Sequence, residues 1–320
     1  MRKLCLVLLT TILVACSNND ALNVQVEKNE SKPIILGTDV YVIIDNKADE
    51  RTLEAMTRAA REAGERFGFE IKVIQPTGAD DLVKQINSLK GITGIGGAVI
   101  AAKGVPAGEA IAELASTGIP IVGIGTNSAA VLPYGGIGFV GVTDEGIGKA
   151  IALKFKALGL KKLICVATQG KDSERERRIC GSVADYLSGV ETVSVKVTNK
   201  NSPEILRKAI AGDKEIDCML VMNTALMSTV NQTRGLITRD LSVGLIGYEE
   251  SREREVRSGE LLFMTDNQDA MQARYSVDML GTFTTTAGII GNGTPVLTGP
   301  DIVTAAKVDA VSLSRKDFNR

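Results

Sequence analysis

The sequence predicts an α/β protein with two lobes, each built around a doubly wound parallel sheet, and with a ligand cleft between them. Short apolar runs alternate along the chain with segments whose apolar residues recur at helical spacing. This alternation is typical of parallel strands that helices cover on both faces. The strands are too many for one comfortable sheet, and a chain of 320 residues is long for one domain, so two sheets are expected.

The first half of the chain shows the alternation from Asp39 onward. The run VYVIID predicts the first strand, and Leu53, Met56, Ala60 and Ala63 recur at helical spacing within a helix expected over 50–67. The same patterns predict strands over 70–74, 97–102 and 119–124, and helices over 80–89 and 107–116.

The second half repeats the pattern after a glycine-rich segment over 133–138, where we expect the chain to leave the first lobe. Predicted strands cover 163–167, 190–197, 219–222 and 243–247, and predicted helices cover 147–158, 174–187, 203–211, 227–237 and 270–289. In open parallel sheets, ligands bind beyond the carboxyl ends of the strands. The residues that follow each strand are therefore the first candidates for a binding site.

The N-terminus has the three parts of a secretory signal. These are a basic start, an apolar stretch over 4–14, and small residues before a cut after Ala15. The apolar stretch is too short to span a bilayer, which takes about 20 residues. Cys16 follows a Leu-x-Ala pattern and resembles the diacylated cysteine of the bacterial lipobox; an ordinary secretion signal with a chance cysteine is the alternative. We expect a signal peptide over 1–15, lipidation at Cys16 and a polar, flexible tether over 16–36.

The composition excludes several chemistries. The chain has no histidine, which removes Ser-His-Asp and Cys-His catalysis and histidine-bound zinc. The balance of 37 Lys+Arg against 38 Asp+Glu favours neither nucleic acid nor an anionic membrane surface as a partner. Beyond the N-terminal signal and Cys16, the cysteines are Cys165, Cys180 and Cys218, which form no C-x-x-C pair, so no metal is expected. Whether Cys165 and Cys180 form a disulfide cannot be decided from their spacing. No cofactor is expected, because the glycines around Lys149 lack the rest of a phosphate-binding loop.

Polar side chains follow the predicted strands at the expected edge of the sheets. They are amides, carboxylates and basic groups, which together suit a ligand rich in hydroxyls. Each one alone could equally be a turn or helix-cap residue. The candidate ligand-binding residues are Asp45, Asn46, Lys103, Thr126, Asn127, Arg178, Asn223, Glu249, Asn267 and Gln268.

Several segments, in their order and spacing, resemble a known family. They are ERFGF over 65–69, GIPIVGI over 118–124, FVGVTD over 139–144, RICG over 178–181, VGLIGYE over 243–249 and SGEL over 258–261. Across 37–305, the chain is similar to type I periplasmic solute-binding proteins, nearest to the ribose-binding branch of sugar ABC importers.

The resemblance implies two Rossmann-like lobes joined by three crossings around a hinge. Ligand binding closes the hinge, and the closed monomer then meets a membrane permease that a separate ATPase drives. The corresponding lobes are an N-terminal lobe over 37–140 plus 268–298 and a C-terminal lobe over 141–267 plus 299–320.

The resemblance also implies roles for several candidates. Arg178 matches an arginine that holds sugar hydroxyls, and Asn223 matches an asparagine contact. Glu249 stands where the family usually has an aspartate. Asn267 or Gln268 matches a glutamine near the hinge.

Two departures from the family fall in the first lobe. Arg51, Thr52 and Leu53 stand where the family has an aromatic pair, and Gly125-Thr126 replaces an Asp-Arg pair. The second-lobe residues therefore match those of the family's ligand site, whereas the first-lobe residues largely do not. A pentose bound in the usual way is not expected.

The function favoured by these observations is a lipoprotein that captures a small polar solute, sugars first, and feeds an ABC importer. It would be exported and lipid-anchored, in the periplasm or on the outer cell surface, with no other membrane contact. A sensory protein that presents its ligand to a membrane receptor or kinase is the alternative, and a scaffold with a degenerate cleft is a further one. An enzyme is not expected because no nucleophile motif accompanies the missing histidine.

Overall fold

The computed structural model describes residues 37–45, 48–170, 173–196 and 200–317. The predicted signal peptide, Cys16, the tether and the candidate Asn46 lie outside these ranges. Within them, no helix has both the length and the apolar content needed to cross a membrane. The same residues bring together no group of three or more His, Cys, Asp or Glu side chains that could hold a metal ion.

The first sheet has six parallel strands in the order β11-β5-β4-β3-β1-β2. Its strands are β1 (Asp39–Ile43), β2 (Glu70–Ile74), β3 (Ile95–Ile100), β4 (Ile121–Gly125), β5 (Gly138–Gly141) and the returning β11 (Val296–Leu297). The helices that cover it are α1 (Glu50–Glu65), α2 (Ala79–Ser88), α3 (Gly104–Ala115) and α9 (Asp269–Thr286). All six residues of β3 are buried, as expected of a central strand with helices on both faces.

The second sheet also has six strands, in the order β12-β10-β9-β8-β6-β7. Its strands are β6 (Leu163–Thr168), β7 (Val190–Val195), β8 (Cys218–Val221), β9 (Ser242–Leu245), β10 (Phe263–Asp266) and β12 (Asp301–Val303). Its helices are α4 (Asp144–Ala157), α5 (Glu174–Tyr186), α6 (Ser202–Gly212), α7 (Met227–Arg234), α8 (Glu253–Ser258) and α10 (Val308–Asp317). β12 runs antiparallel to its neighbour, β10, whereas the other pairs in this sheet are parallel. The two-lobed α/β prediction is thus confirmed.

The chain passes between the sheets three times, after β5, after β10 and after β11. The first crossing comes after Gly141, later than predicted, because β5 still pairs with β4 and buries Phe139 in the first core. The glycine-rich segment instead makes a turn into β5, with Gly135 at φ 92°. The exact lobe limits, 37–140 plus 268–298 and 141–267 plus 299–320, stay a prediction.

Thr298 joins the three crossings. Its amide donates to the carbonyl of Gly141 at 3.0 Å, and its hydroxyl donates to the carbonyl of Asn267 at 3.3 Å. These two bonds hold backbone groups that would otherwise lie between sheets without a ladder partner. The hinge region is therefore one hydrogen-bonded unit.

A disulfide joins Cys165 in β6 to Cys180 in α5, with the Cα atoms 6.3 Å apart. The sequence alone does not decide whether these two cysteines pair. Cys218 is free and buried, and burial raises the pKa of its thiol. The disulfide fixes the middle of α5 to β6, and the first turn of this helix carries polar residues described next.

Candidate ligand-binding cleft

A cavity of about 490 Å³ lies between the two lobes at the carboxyl ends of their strands. This position is the expected one for a ligand site in open parallel sheets, and the volume suits a small molecule. The first sheet and its helices contribute Ile44, Asp45, Ala48, Asp49, Thr52, Met56, Ala101, Ala102, Lys103, Ile124, Gly125, Thr126, Asp269 and Gln272. The second-lobe side contributes Arg175, Glu176, Ile179, Met222, Asn223 and, from a crossing, Asn267.

Glu176 organises the second-lobe wall. Its carboxylate accepts the backbone N–H of Thr168 at 2.5 Å and the Thr168 hydroxyl at 3.1 Å. It also accepts the side-chain Nδ2 of Asn223 at 2.5 Å. These bonds fix the orientation of the Asn223 amide. The Oδ1 atom of Asn223 is buried and has no hydrogen-bond partner in the described part of the chain.

Arg175 stands beside this network in the first turn of α5. Its Nε donates to Oδ1 of Asp144 at 2.9 Å. Its Nη2 is buried and, like Asn223 Oδ1, finds no partner among the described residues. A buried polar atom without a partner costs about 1–3 kcal/mol. The wall therefore offers one donor and one acceptor that a ligand in the cavity would satisfy.

The first-lobe wall carries carboxylates. Asp45 pairs with Lys103, and Asp49 caps α1 by accepting the N–H of Thr52 at 2.8 Å. Burial raises the pKa of the Asp269 carboxyl from 3.8 to about 6, and the carboxylate of Asp266 adds to that shift. Such groups accept hydrogen bonds from ligand hydroxyls.

The structure brings five predicted residues into the cavity wall and leaves four out. Asp45, Lys103, Thr126, Asn223 and Asn267 line it, whereas Asn127, Arg178, Glu249 and Gln268 do not.

Arg178 lies about one helical turn beyond Arg175 on α5. Its half-exposed side chain pairs with Asp144 at 3.1 Å and with Glu174 at 3.3 Å. Glu249 pairs with Arg252 at 3.1 Å and lines a neighbouring cavity. Ligand contacts by any of the candidates stay a prediction.

Six polar residues of the wall are absent from the candidate set. They are Asp49, which follows the first predicted strand, and Thr52, Arg175, Glu176, Asp269 and Gln272. Arg175 and Glu176 could have been found, because they lie in the first turn of a helix that follows a predicted strand. That turn faces the same edge as the strand end.

No aromatic side chain lines this cavity within the described residues. Its apolar surface comes instead from Ile44, Met56, Ile124, Ile179 and Met222. Gly125 lies at the end of β4 with φ 106°, a conformation that residues with a side chain rarely adopt. At this position the first-lobe wall therefore presents backbone atoms, without a side chain, to the cavity.

This fold and cleft define a two-lobed solute-binding protein. The sequence profile of "Periplasmic binding proteins and sugar binding domain of LacI family" matches residues 40–211, and the chain belongs to that family. No match is found among curated protein sequences.

Solved structures of sugar-binding proteins share the fold. A carbohydrate transporter from Acidothermus cellulolyticus 11B, in complex with myo-inositol, is 18% identical with a TM-score of 0.70, covering 89% of this chain and 100% of that one. A periplasmic ribose ABC transporter from Conexibacter woesei DSM 14684 is 11% identical with a TM-score of 0.72, covering 88% and 97%. A sugar-binding protein of an ABC transporter from Bacillus halodurans is 14% identical with a TM-score of 0.70, covering 86% and 99%.

Proposed function

We propose that this chain is an exported lipoprotein that captures a sugar in the interlobe cleft by hinge closure. It delivers the sugar to an ABC permease whose transport a separate ATPase drives. The class of ligand is supported by the family and by the similar structures described above, one in complex with myo-inositol and one a ribose transporter.

One observation carries the proposal. Arg175 Nη2 and Asn223 Oδ1 are buried at the cavity wall without partners among the described residues. A sugar hydroxyl both donates and accepts, so one polyhydroxylated ligand satisfies a donor and an acceptor together. Carboxylates on the opposite wall accept the hydroxyls on its other side.

Hinge closure is the step that completes the site. The cavity residues come from both sheets, so neither lobe alone surrounds a ligand. Closing the lobes excludes water and brings the two walls within hydrogen-bonding distance of one molecule. The ligand therefore favours the closed state because it contacts both walls only there.

Export and anchoring rest on the sequence of the N-terminus. The basic start, the short apolar stretch and Cys16 are the features that support them. Labelling cells with a radioactive or clickable fatty acid tests the anchor, since the Cys16→Ser variant should lose the label. A labelled Cys16→Ser protein would contradict lipidation at this residue.

Thermal unfolding of the purified chain with a panel of pentoses, hexoses, polyols, nucleosides and amino acids tests the ligand class. A ligand that binds only the folded state stabilises it by about 2.7 kcal/mol at a hundredfold excess over Kd. We expect a rise in Tm with one sugar or polyol class. A rise only with amino acids or nucleosides, or no rise at all, would contradict sugar capture.

The sensory alternative shares the cleft and differs in the partner. Cross-linking of the sugar-loaded protein in native membranes, followed by mass spectrometry, separates the two functions. A permease in the cross-linked product supports import, whereas a receptor or histidine kinase supports sensing.

A further inference from the structure

A second cavity, of about 460 Å³, adjoins the cleft and is nearly as large. Asp49 lines both of them. We call the second one the outer chamber. Its wall consists of Asp49, Arg51 and Ala55 on α1, of Tyr248, Glu249, Glu250, Ser251 and Glu253 after β9, and of Ser312 and Arg315 on α10. Because α1 covers the first sheet and the other residues belong to the second, this chamber is also formed by both lobes.

Most charged side chains of the outer chamber are paired within the protein, and the Asp49 carboxylate caps α1. The pairs are Arg51 with Glu250, Glu249 with Arg252, Glu253 with Arg257 and Arg315 with Asp266. An ionic ligand group would have to compete with these pairs. The carboxylates and the two serines still have oxygen lone pairs to offer, so the lining suits an uncharged group with several hydroxyls.

Tyr248 gives the outer chamber an aromatic surface, which the cleft lacks. The guanidinium of Arg315 lies over its ring, 4.2 Å from the centroid, and its hydroxyl donates to Oε1 of Glu253 at 2.5 Å. Arg315 is itself held by Asp266, with Nη2 to Oδ1 at 2.6 Å. Arg315 covers one face of the ring, and Tyr248 also packs against the core of the second lobe. The chamber therefore meets a fixed part of the aromatic side chain, and a ligand ring can contact it with little loss of side-chain entropy.

From these features we infer that the ligand is a carbohydrate of two rings, with one ring in the cleft and the second in the outer chamber beside Tyr248. This inference rests on the proposed sugar-binding function and extends it. Together the cavities approach the upper end of the roughly 300–1,000 Å³ range of small-molecule sites. A single sugar ring would leave one of them to solvent.

Isothermal titration calorimetry of the purified chain tests the inference. The probes are D-glucose, D-galactose and D-xylose, compared with maltose, cellobiose, lactose and xylobiose. We expect at least one disaccharide to bind about tenfold or more tightly than either of its component monosaccharides. If a monosaccharide binds and none of its disaccharides binds more tightly, the inference is wrong while sugar capture stands. If no carbohydrate binds, either in this set or in the thermal panel, both fail.

Variants of the outer chamber locate the second ring. Tyr248→Leu should weaken disaccharide binding by about fivefold to tenfold, the range for one lost aromatic contact, and leave monosaccharide binding unchanged. Tyr248→Phe keeps the ring and should retain most of the affinity. Equal losses for both sugars in Tyr248→Leu, or none for either, would overturn the assignment.

Arg51→Ala provides a second test that does not alter the core. It removes a chamber wall residue from α1 and its ion pair with Glu250 of the other lobe, which contributes little because both side chains are exposed. We expect disaccharide binding to weaken clearly more than monosaccharide binding. The matched control is Arg61→Ala, on the exposed face of the same helix and away from both cavities. If the two variants behave alike, α1 does not contact a second ring.

Discussion

Arg175 and Arg178 share the carboxylate of Asp144, yet only Arg175 reaches the cleft. The Nε atoms of the two arginines lie 2.9 Å and 3.1 Å from the two oxygens of Asp144. Arg175 retains a buried Nη2 without a partner among the described residues, whereas the Arg178 side chain is 55% exposed. The ligand-facing role that the resemblance implies for Arg178 fits the geometry of Arg175 better.

Arg175→Ala should therefore weaken sugar binding by about tenfold to a hundredfold, since hydrogen bonds to charged groups contribute about 1.5–3 kcal/mol. Arg178→Ala is the matched control on the same helix and should leave Kd within about twofold. Calorimetric titration with the sugar identified by the thermal panel measures both. A larger loss in Arg178→Ala would restore the role implied by the resemblance.

Glu176→Ala should weaken binding through Asn223. Without the carboxylate, the Asn223 amide loses the acceptor that fixes its orientation, and the Thr168 N–H loses its partner. We expect a loss of about tenfold in affinity and about 1–3 kcal/mol in stability, measured by titration and by urea unfolding. Glu174→Ala, on the same helix and 74% exposed, should change neither.

Asp269→Asn should stabilise the ligand-free protein at neutral pH. The pKa of Asp269 is about 6 when folded and 3.8 in its ordinary state, so the folded protein holds the proton more tightly. Stability from this group is full below about pH 4 and is lost as the pH rises to about 6. We expect a gain of about 3 kcal/mol at pH 7.5 and little at pH 3.8, from urea unfolding at both pH values. An equal gain at both would contradict the shift.

Removal of the disulfide with Cys165→Ala and Cys180→Ala should cost stability and affinity together. The bond spans 15 residues, and closing a loop of that size stabilises by about 3 kcal/mol. It also holds α5, which carries Arg175 and Glu176. Dithiothreitol should lower the stability of the unsubstituted protein and not that of the double variant. Cys218→Ala, which removes the buried free thiol, should remain sensitive to the reductant.

The alternation of strands and helices was predictable because the central strands are continuous apolar runs. β3 and β8 are buried along their whole length, and such runs stand out in any sequence. The strands β5, β10, β11 and β12 and the helices α8 and α10 were not predicted. These strands span only two to four residues. β5 begins and ends with glycine, β10 and β12 contain an aspartate, and the pairing of β11 and β12 depends on the returning chain.

The candidate site was predictable only as far as the strand ends. Asp45, Lys103 and Asn223 follow strands directly, and the strand direction alone places them at the cleft. The choice between Arg175 and Arg178 depends on how α5 is rotated about its axis, which the Cys165–Cys180 bond and the contact with α4 determine. Neither the disulfide nor the packing of α5 on α4 could be read from the sequence.

The bonds made by Thr298 have a mechanical meaning. Three separate linkers would allow the lobes to twist, shear and bend independently. Because Thr298 is hydrogen-bonded to the other two linkers, we expect the three to move together, so that the lobes rotate mainly about one pivot. A fluorophore pair placed on α3 and α6, one in each lobe, should then report ligand binding as one monotonic change in distance, which is the behaviour a biosensor requires.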